Sequence, residues 1–83
     1  MGRAIGPNID FSNANCIRTN FAGADMRGCS FRDADLSDAD FSGTLLDGAD
    51  CTGALTNGTK VYGTDLRKVS GLTQEMIDVM PGS

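Results

Sequence analysis

The chain contains no histidine and no tryptophan, one tyrosine and only two prolines in 83 residues. Lacking histidine, it lacks the side chain most often used for proton transfer near neutral pH. Its three cysteines, Cys16, Cys29 and Cys51, are an odd number with no CxxC pair, spaced 13 and 22 residues apart. That argues against a disulfide framework and against a zinc or redox centre. The thiols are expected to be small buried hydrophobes in a reducing setting. No run reaches the roughly 18 apolar residues of a membrane span, and residues 1–8 lack the apolar stretch of a signal peptide. Basic residues are also few: seven Lys and Arg face eleven Asp and Glu, for a net charge of −4. That balance argues against a binder of nucleic-acid phosphates, which would be basic. A cytoplasmic location is expected, with the thylakoid lumen or periplasm as the alternative if a presequence was removed.

What the chain does have is a period of five. A series occupies every fifth position: Phe11, Cys16, Phe21, Met26, Phe31, Leu36, Phe41, Leu46, Cys51, Thr56, Val61 and Leu66. Two positions before each stands a small residue, as at Ala14, Ala24, Cys29, Ala34, Ala39, Thr44 and Ala49, with Ile9 as the one bulky member. Neither a helical period of 3.6 nor a strand period of 2 holds a five-residue beat on one face over sixty residues, so the chain is read as an internal repeat. One unit runs small, polar, large, polar, turn. In an extended segment the small and large residues point the same way and the residue between them points out. The outward residues are mostly Asp, Asn or Ser, with Leu45, Leu55 and Lys60 as exceptions.

The last two positions must return the chain inward. Gly23, Gly28, Gly43, Gly48, Gly53, Gly58 and Gly63 share the final position, which suits the positive φ of a type II turn. Asn13 can adopt it too. Arg18, Asp33, Asp38 and Lys68 are expected to use a different turn. Short sides joined by corners close into stacked coils. The period alone permits three or four units per coil. Four is favoured because it places Phe11 under Phe31 and Phe21 under Phe41. Small residues at alternate inward positions then relieve crowding inside so narrow a prism.

These residues resemble the pentapeptide-repeat family, whose units read Ala-Asp/Asn-Leu-x-x. Ala-Asn15, Ala-Asp25, Ala-Asp35, Ala-Asp40 and Ala-Asp50 open units in this way, with Leu, Phe, Met or Cys next. The resemblance implies an all-β solenoid, a right-handed quadrilateral β-helix with four units per coil. It implies no activity. Twelve units over residues 9–68 would make about three coils. Residues 1–8 are read as an N-terminal cap or degenerate repeat, and 69–83 as a capping helix and tail. Leu72, Met76, Ile77, Val79 and Met80 suit one face of a short α-helix there, with Thr73 as N-cap and Glu75 in the first turn.

No catalytic constellation is found: catalytic, cofactor-binding and metal residues are all read as none, and no cofactor is expected. The repeat's carboxylates are read as solvated supports of the turns. The structural core is read as Phe11, Cys16, Phe21, Met26, Phe31, Leu36, Phe41, Leu46, Cys51, Val61 and Leu66. A possible interaction surface is read at Ile17, Leu55 and Tyr62. The function expected is a non-catalytic structural scaffold or protein–protein interaction module. The expected partner is a protein of unknown identity, without nucleic acid or membrane, and the chain is expected as a monomer or an end-to-end dimer. The alternative, drawn from the family resemblance, is a DNA-mimic regulator of a DNA topoisomerase such as gyrase. Against that alternative, the wall with Asp10, Arg32, Asp33 and Asp50 is only mildly acidic. The wall with Asp25, Arg27, Asp47, Asp65, Arg67 and Lys68 is neutral.

Overall fold

Backbone hydrogen bonds tie each residue to the one about twenty further on, and this register builds the molecule. The computed structural model describes residues 7–83. The expected N-terminal cap over residues 1–8 therefore lies largely outside the described residues. Along a wall, the N–H of Phe11 donates to the C=O of Ser30 at 2.7 Å, and the N–H of Ser30 donates back to the C=O of Ile9 at 3.0 Å. The same exchange recurs through parallel bridges such as Asn15↔Asp35, Asn20↔Asp40, Asp25↔Leu45 and Ser30↔Asp50. Four five-residue units therefore close one coil.

The expectation of an all-β solenoid, a right-handed quadrilateral β-helix, is corrected by the same backbone. The described residues hold no β-strand and no sheet. They hold eight isolated parallel bridges and one short α-helix. The reason is the spacing of the corners. A turn hydrogen bond closes every unit, from Ala14 N–H to the C=O of Phe11 through Val69 N–H to the C=O of Leu66. So little extended chain remains between turns that each wall is bridged at one residue per coil, too short a run to form a strand.

The corners also differ from expectation. Arg18, Asp33 and Asp38 take φ values of 58°, 59° and 58°, in the same region as the glycine corners. These values fall in the small left-handed well that L-residues can occupy, so three side-chain-bearing residues turn the corner as glycine does. Lys68 does not share this positive φ. At that corner the register slips: Gly48 N–H donates to Lys68 C=O, where the pattern calls for Arg67. No bridge joins Leu45 to Asp65 among the described residues.

Inside the coils, Phe21, Ala24, Met26, Cys29, Phe31, Ala34, Leu36 and Ala39 are essentially sealed from solvent. Four phenylalanines form the centre. Phe21 and Phe41 stack with centroids 4.8 Å apart, and Phe31 meets Phe41 edge-on at 5.4 Å. Threonines at the small inward position add hydrogen bonds. Thr44 Oγ1 donates to the C=O of Phe21 at 2.8 Å, and Thr59 Oγ1 donates to the C=O of Leu36 at 2.7 Å. Each carbonyl already closes a turn, so the hydroxyl uses its second lone pair.

The single helix, α1 (Gln74–Asp78), starts at Thr73, whose hydroxyl accepts the N–H of Met76. Glu75 lies in its first turn. Leu72 and Met76 pack against the core, and Met80 is buried. The tail then returns to the coil, where the Pro81 C=O accepts the N–H of Val61 at 2.8 Å.

Candidate interaction surface

The outward residue of most units is engaged with its own turn. Oδ1 of Asp10, Asn15, Asn20, Asp25, Asp35, Asp40, Asp50 and Asp65 accepts the backbone N–H two residues ahead. This Asx geometry explains why short polar side chains fill the position. It also lowers the pKa of the carboxylates among them. Hydrogen bonds from the Thr52 hydroxyl and N–H, then from Arg32, pull Asp50 down to about 2. The Arg67 guanidinium and N–H hold Asp65 well below the usual carboxylate range. Ser12, Ser37 and Ser42 lower Asp10, Asp35 and Asp40 in the same way. The carboxylates are thus ionised partners of turns and guanidinium groups. No cluster of three metal-ligating side chains occurs among the described residues.

Leu45 and Leu55 break the pattern. Their side chains accept no hydrogen bond, yet they stand 53% and 54% exposed. Leu45 sits in a frame of ion pairs. Its bridge partner Asp25 binds Arg27 through two parallel hydrogen bonds of 2.8 and 2.7 Å, and Asp65 binds Arg67 likewise. Asp47 acts on both guanidinium groups and raises their pKa values further. The result is an apolar centre within a rim of charges that already have partners.

The residues assigned from sequence to an interaction surface do not form one patch. Ile17 and Leu55 share the wall bridged through Asn15, Asp35 and Leu55, but stand two coils apart. Tyr62 lies on the next wall, where the backbone of Gly82 packs against its ring. Of the residues read as core, Phe11 and Leu66 are only half-buried, while Cys16, Phe21, Met26, Phe31, Leu36, Phe41, Leu46, Cys51 and Val61 are buried. Burial pushes the Cys51 thiol up to about 12, which leaves it protonated and unreactive at neutral pH. The setting of Leu45 was missed from sequence. Its signal was present in Asp25-Met26-Arg27 and Asp65-Leu66-Arg67, where acid and base stand two apart on either side of it in the stack.

Stacked five-residue units with a sealed interior and turn-bound carboxylates define a repeat protein. The chain belongs to the pentapeptide-repeat family: the family model for pentapeptide repeats matches residues 9–48 and 34–70, in eight copies. Pentapeptide-repeat proteins are characteristically non-enzymatic scaffolds, consistent in general with a protein-interacting role. No curated protein matches it.

Among solved structures, one similar protein is Rfr23, a pentapeptide repeat protein from the cyanobacterium Cyanothece 51142. It is 25% identical with a TM-score of 0.73, over 76% of this chain and 43% of that one. Another is HetL from the cyanobacterium Nostoc sp. strain PCC 7120, a pentapeptide repeat protein involved in regulating heterocyst differentiation. It is 28% identical with a TM-score of 0.75, over 98% of this chain and 35% of that one. The chain thus spans less than half the length of either. A pentapeptide repeat protein from the Arabidopsis thaliana thylakoid lumen, AT2G44920, is 24% identical with a TM-score of 0.31, over 100% of this chain and 81% of that one. That superposition is too loose to carry fold or compartment to this chain. No helix among the described residues is long and apolar enough to cross a membrane.

Proposed function

We propose that the chain is a non-catalytic regulatory module that binds a protein through the wall centred on Leu45. The observation behind this reading is a position that gives up a stabilising bond. Eight outward Asp and Asn residues support the turn next to them, a bond worth about 0.5–1.5 kcal/mol. Leu45 forgoes that bond and presents an apolar side chain to solvent inside a charged rim. An apolar centre ringed by polar groups is the arrangement in which interface energy concentrates. Support for a regulatory role comes from HetL, described as involved in heterocyst differentiation regulation.

The substitution Leu45→Asn tests the reading, because it removes the apolar side chain and can restore the turn bond. Crosslinking in cells should recover a partner with the native chain and lose it with Leu45→Asn, while thermal stability holds or rises. A partner retained in full by Leu45→Asn removes this wall from the account.

A second reading is that the chain regulates a DNA topoisomerase by imitating acidic duplex DNA. Its support is the charge surplus. On one wall Asp10, Asp33 and Asp50 face only Arg32, and α1 adds Glu75 and Asp78. A gyrase supercoiling assay separates the two readings. Inhibition abolished when Asp10, Asp33 and Asp50 are replaced by Asn supports DNA mimicry, and no inhibition leaves the Leu45 surface as the account.

A further inference from the structure

We propose that Asn57 is a site of spontaneous covalent modification, where its side-chain amide cyclises onto the nitrogen of Gly58 and hydrolyses to aspartate and isoaspartate. The reaction needs a reachable backbone nitrogen, an unobstructed approach and a way to hold the charge of the deprotonated amide. The corner at Asn57 leaves that nitrogen without an acceptor among the described residues and holds a donor against the adjoining carbonyl, while the Asp38 carboxylate lies beside Gly58.

The five described asparagines separate clearly by the partner of the next residue's N–H. The N–H after Asn8 is bound by Cys29 Sγ, and the N–H after Asn13 by the C=O of Phe11. The N–H groups after Asn15 and Asn20 donate to Asp35 and Asp40, while the asparagine amide oxygens are held by Ile17 and Ala22. Gly58 N–H donates to no group among the described residues. In the coils below, the same corner position is satisfied: Arg18 N–H donates to Ser37 at 2.9 Å and Asp38 N–H to Asn57 at 2.8 Å. Gly58 lacks an acceptor because the chain leaves the repeat for α1 before a further coil can cover it. The Asp47-Gly48 step, by contrast, has its nitrogen tied to the C=O of Lys68.

The side chain of Asn57 is exposed and has no hydrogen bond among the described residues. Glycine places no side chain in the path of attack. The Asn57 C=O, conjugated with the Gly58 nitrogen, accepts the Asp38 N–H. When Gly58 loses its proton, the charge spreads onto that oxygen, and a donor already in place stabilises it.

The chemistry balances with water alone. Hydroxide takes the Gly58 amide proton. The nitrogen attacks Cγ of Asn57, the Cγ–Nδ2 bond breaks, and ammonia leaves with a proton returned by water. Water then opens the ring at either carbonyl. The isoaspartate product routes the backbone through Cβ and adds one atom to the corner. Either product sets a new carboxylate near that of Asp38, whose Oδ1 already lies against Gly58.

The test incubates the full chain in ¹⁸O-water at neutral and mildly alkaline pH, then applies peptide mapping and an isoaspartyl methyltransferase assay. Position 57 should convert at least about tenfold faster than any other asparagine, faster at higher pH, and within about threefold of the rate in urea-unfolded chain, because the native corner offers little protection. Asn57→Gln should abolish the signal and leave the melting temperature unchanged. Protection of position 57 by more than about tenfold in the native chain, or equal conversion at the other asparagines, overturns the proposal.

Discussion

Phe11 and Phe31, twenty residues apart in sequence, lie with ring centroids 5.2 Å apart and planes 5° from parallel. Phe31 also meets Phe21 and Phe41 edge-on, at 5.9 and 5.4 Å. Like Phe21, it touches all three of the other rings. Phe31→Ala should cost about 3–5 kcal/mol, through lost burial and the cavity left behind. Phe11→Ala, at the half-buried end of the stack, should cost less. Urea denaturation with an unchanged m-value distinguishes this from a change in the unfolded state.

Ala34 is fully enclosed and faces the same interior. Ala34→Leu should overpack the middle coil and cost about 1–3 kcal/mol. The outward Ala22 is the control, since Ala22→Leu should shift stability by no more than about 0.5 kcal/mol. Parallel denaturation curves check both.

Thr44→Val keeps the shape of the side chain and deletes the bond to Phe21. The Phe21 carbonyl still accepts the Ala24 N–H at 3.0 Å, so it is not orphaned. The expected loss is therefore that of one ordinary hydrogen bond, about 0.5–1.5 kcal/mol. A loss well above this range, read from the denaturation midpoint, contradicts the second-acceptor role.

Asp50 and Asp65 have folded-state pKa values below their unfolded ones, Asp50 at about 2. The unfolded chain binds more protons on acidification, so stability is fully present above the ordinary carboxylate range and is lost as pH falls toward 2. Thermal melts from pH 5 down to pH 2 should show a declining midpoint. Asp50→Asn should flatten part of that decline, because an amide can still accept the Thr52 N–H, as Asn15 and Asn20 show for their own turns. An unchanged slope in Asp50→Asn contradicts the assignment.

Much of the interior was legible in the residues themselves. The five-residue beat places Phe11 under Phe31 and Phe21 under Phe41, and the rings do stack in those pairs. The outward Asp and Asn residues support turns. The turn positions of Arg18, Asp33 and Asp38 were misread, because propensity disfavours a left-handed residue while the closing of each coil requires one. The Leu45 frame was not legible from spacing within a unit. It forms only when units four apart stack, bringing the Asp25–Arg27 and Asp65–Arg67 pairs to either side.

The amino-acid sequence by itself determined the period, the inward and outward division and the stacking of aromatic rings, since these come from side-chain size and polarity at fixed positions. The tertiary structure decided that the walls are single bridges rather than strands, that the register slips at Lys68, and that Gly58 is left without an acceptor among the described residues. Each of these depends on what the next coil offers, and a backbone donor or acceptor has a partner only when the stacked chain supplies one.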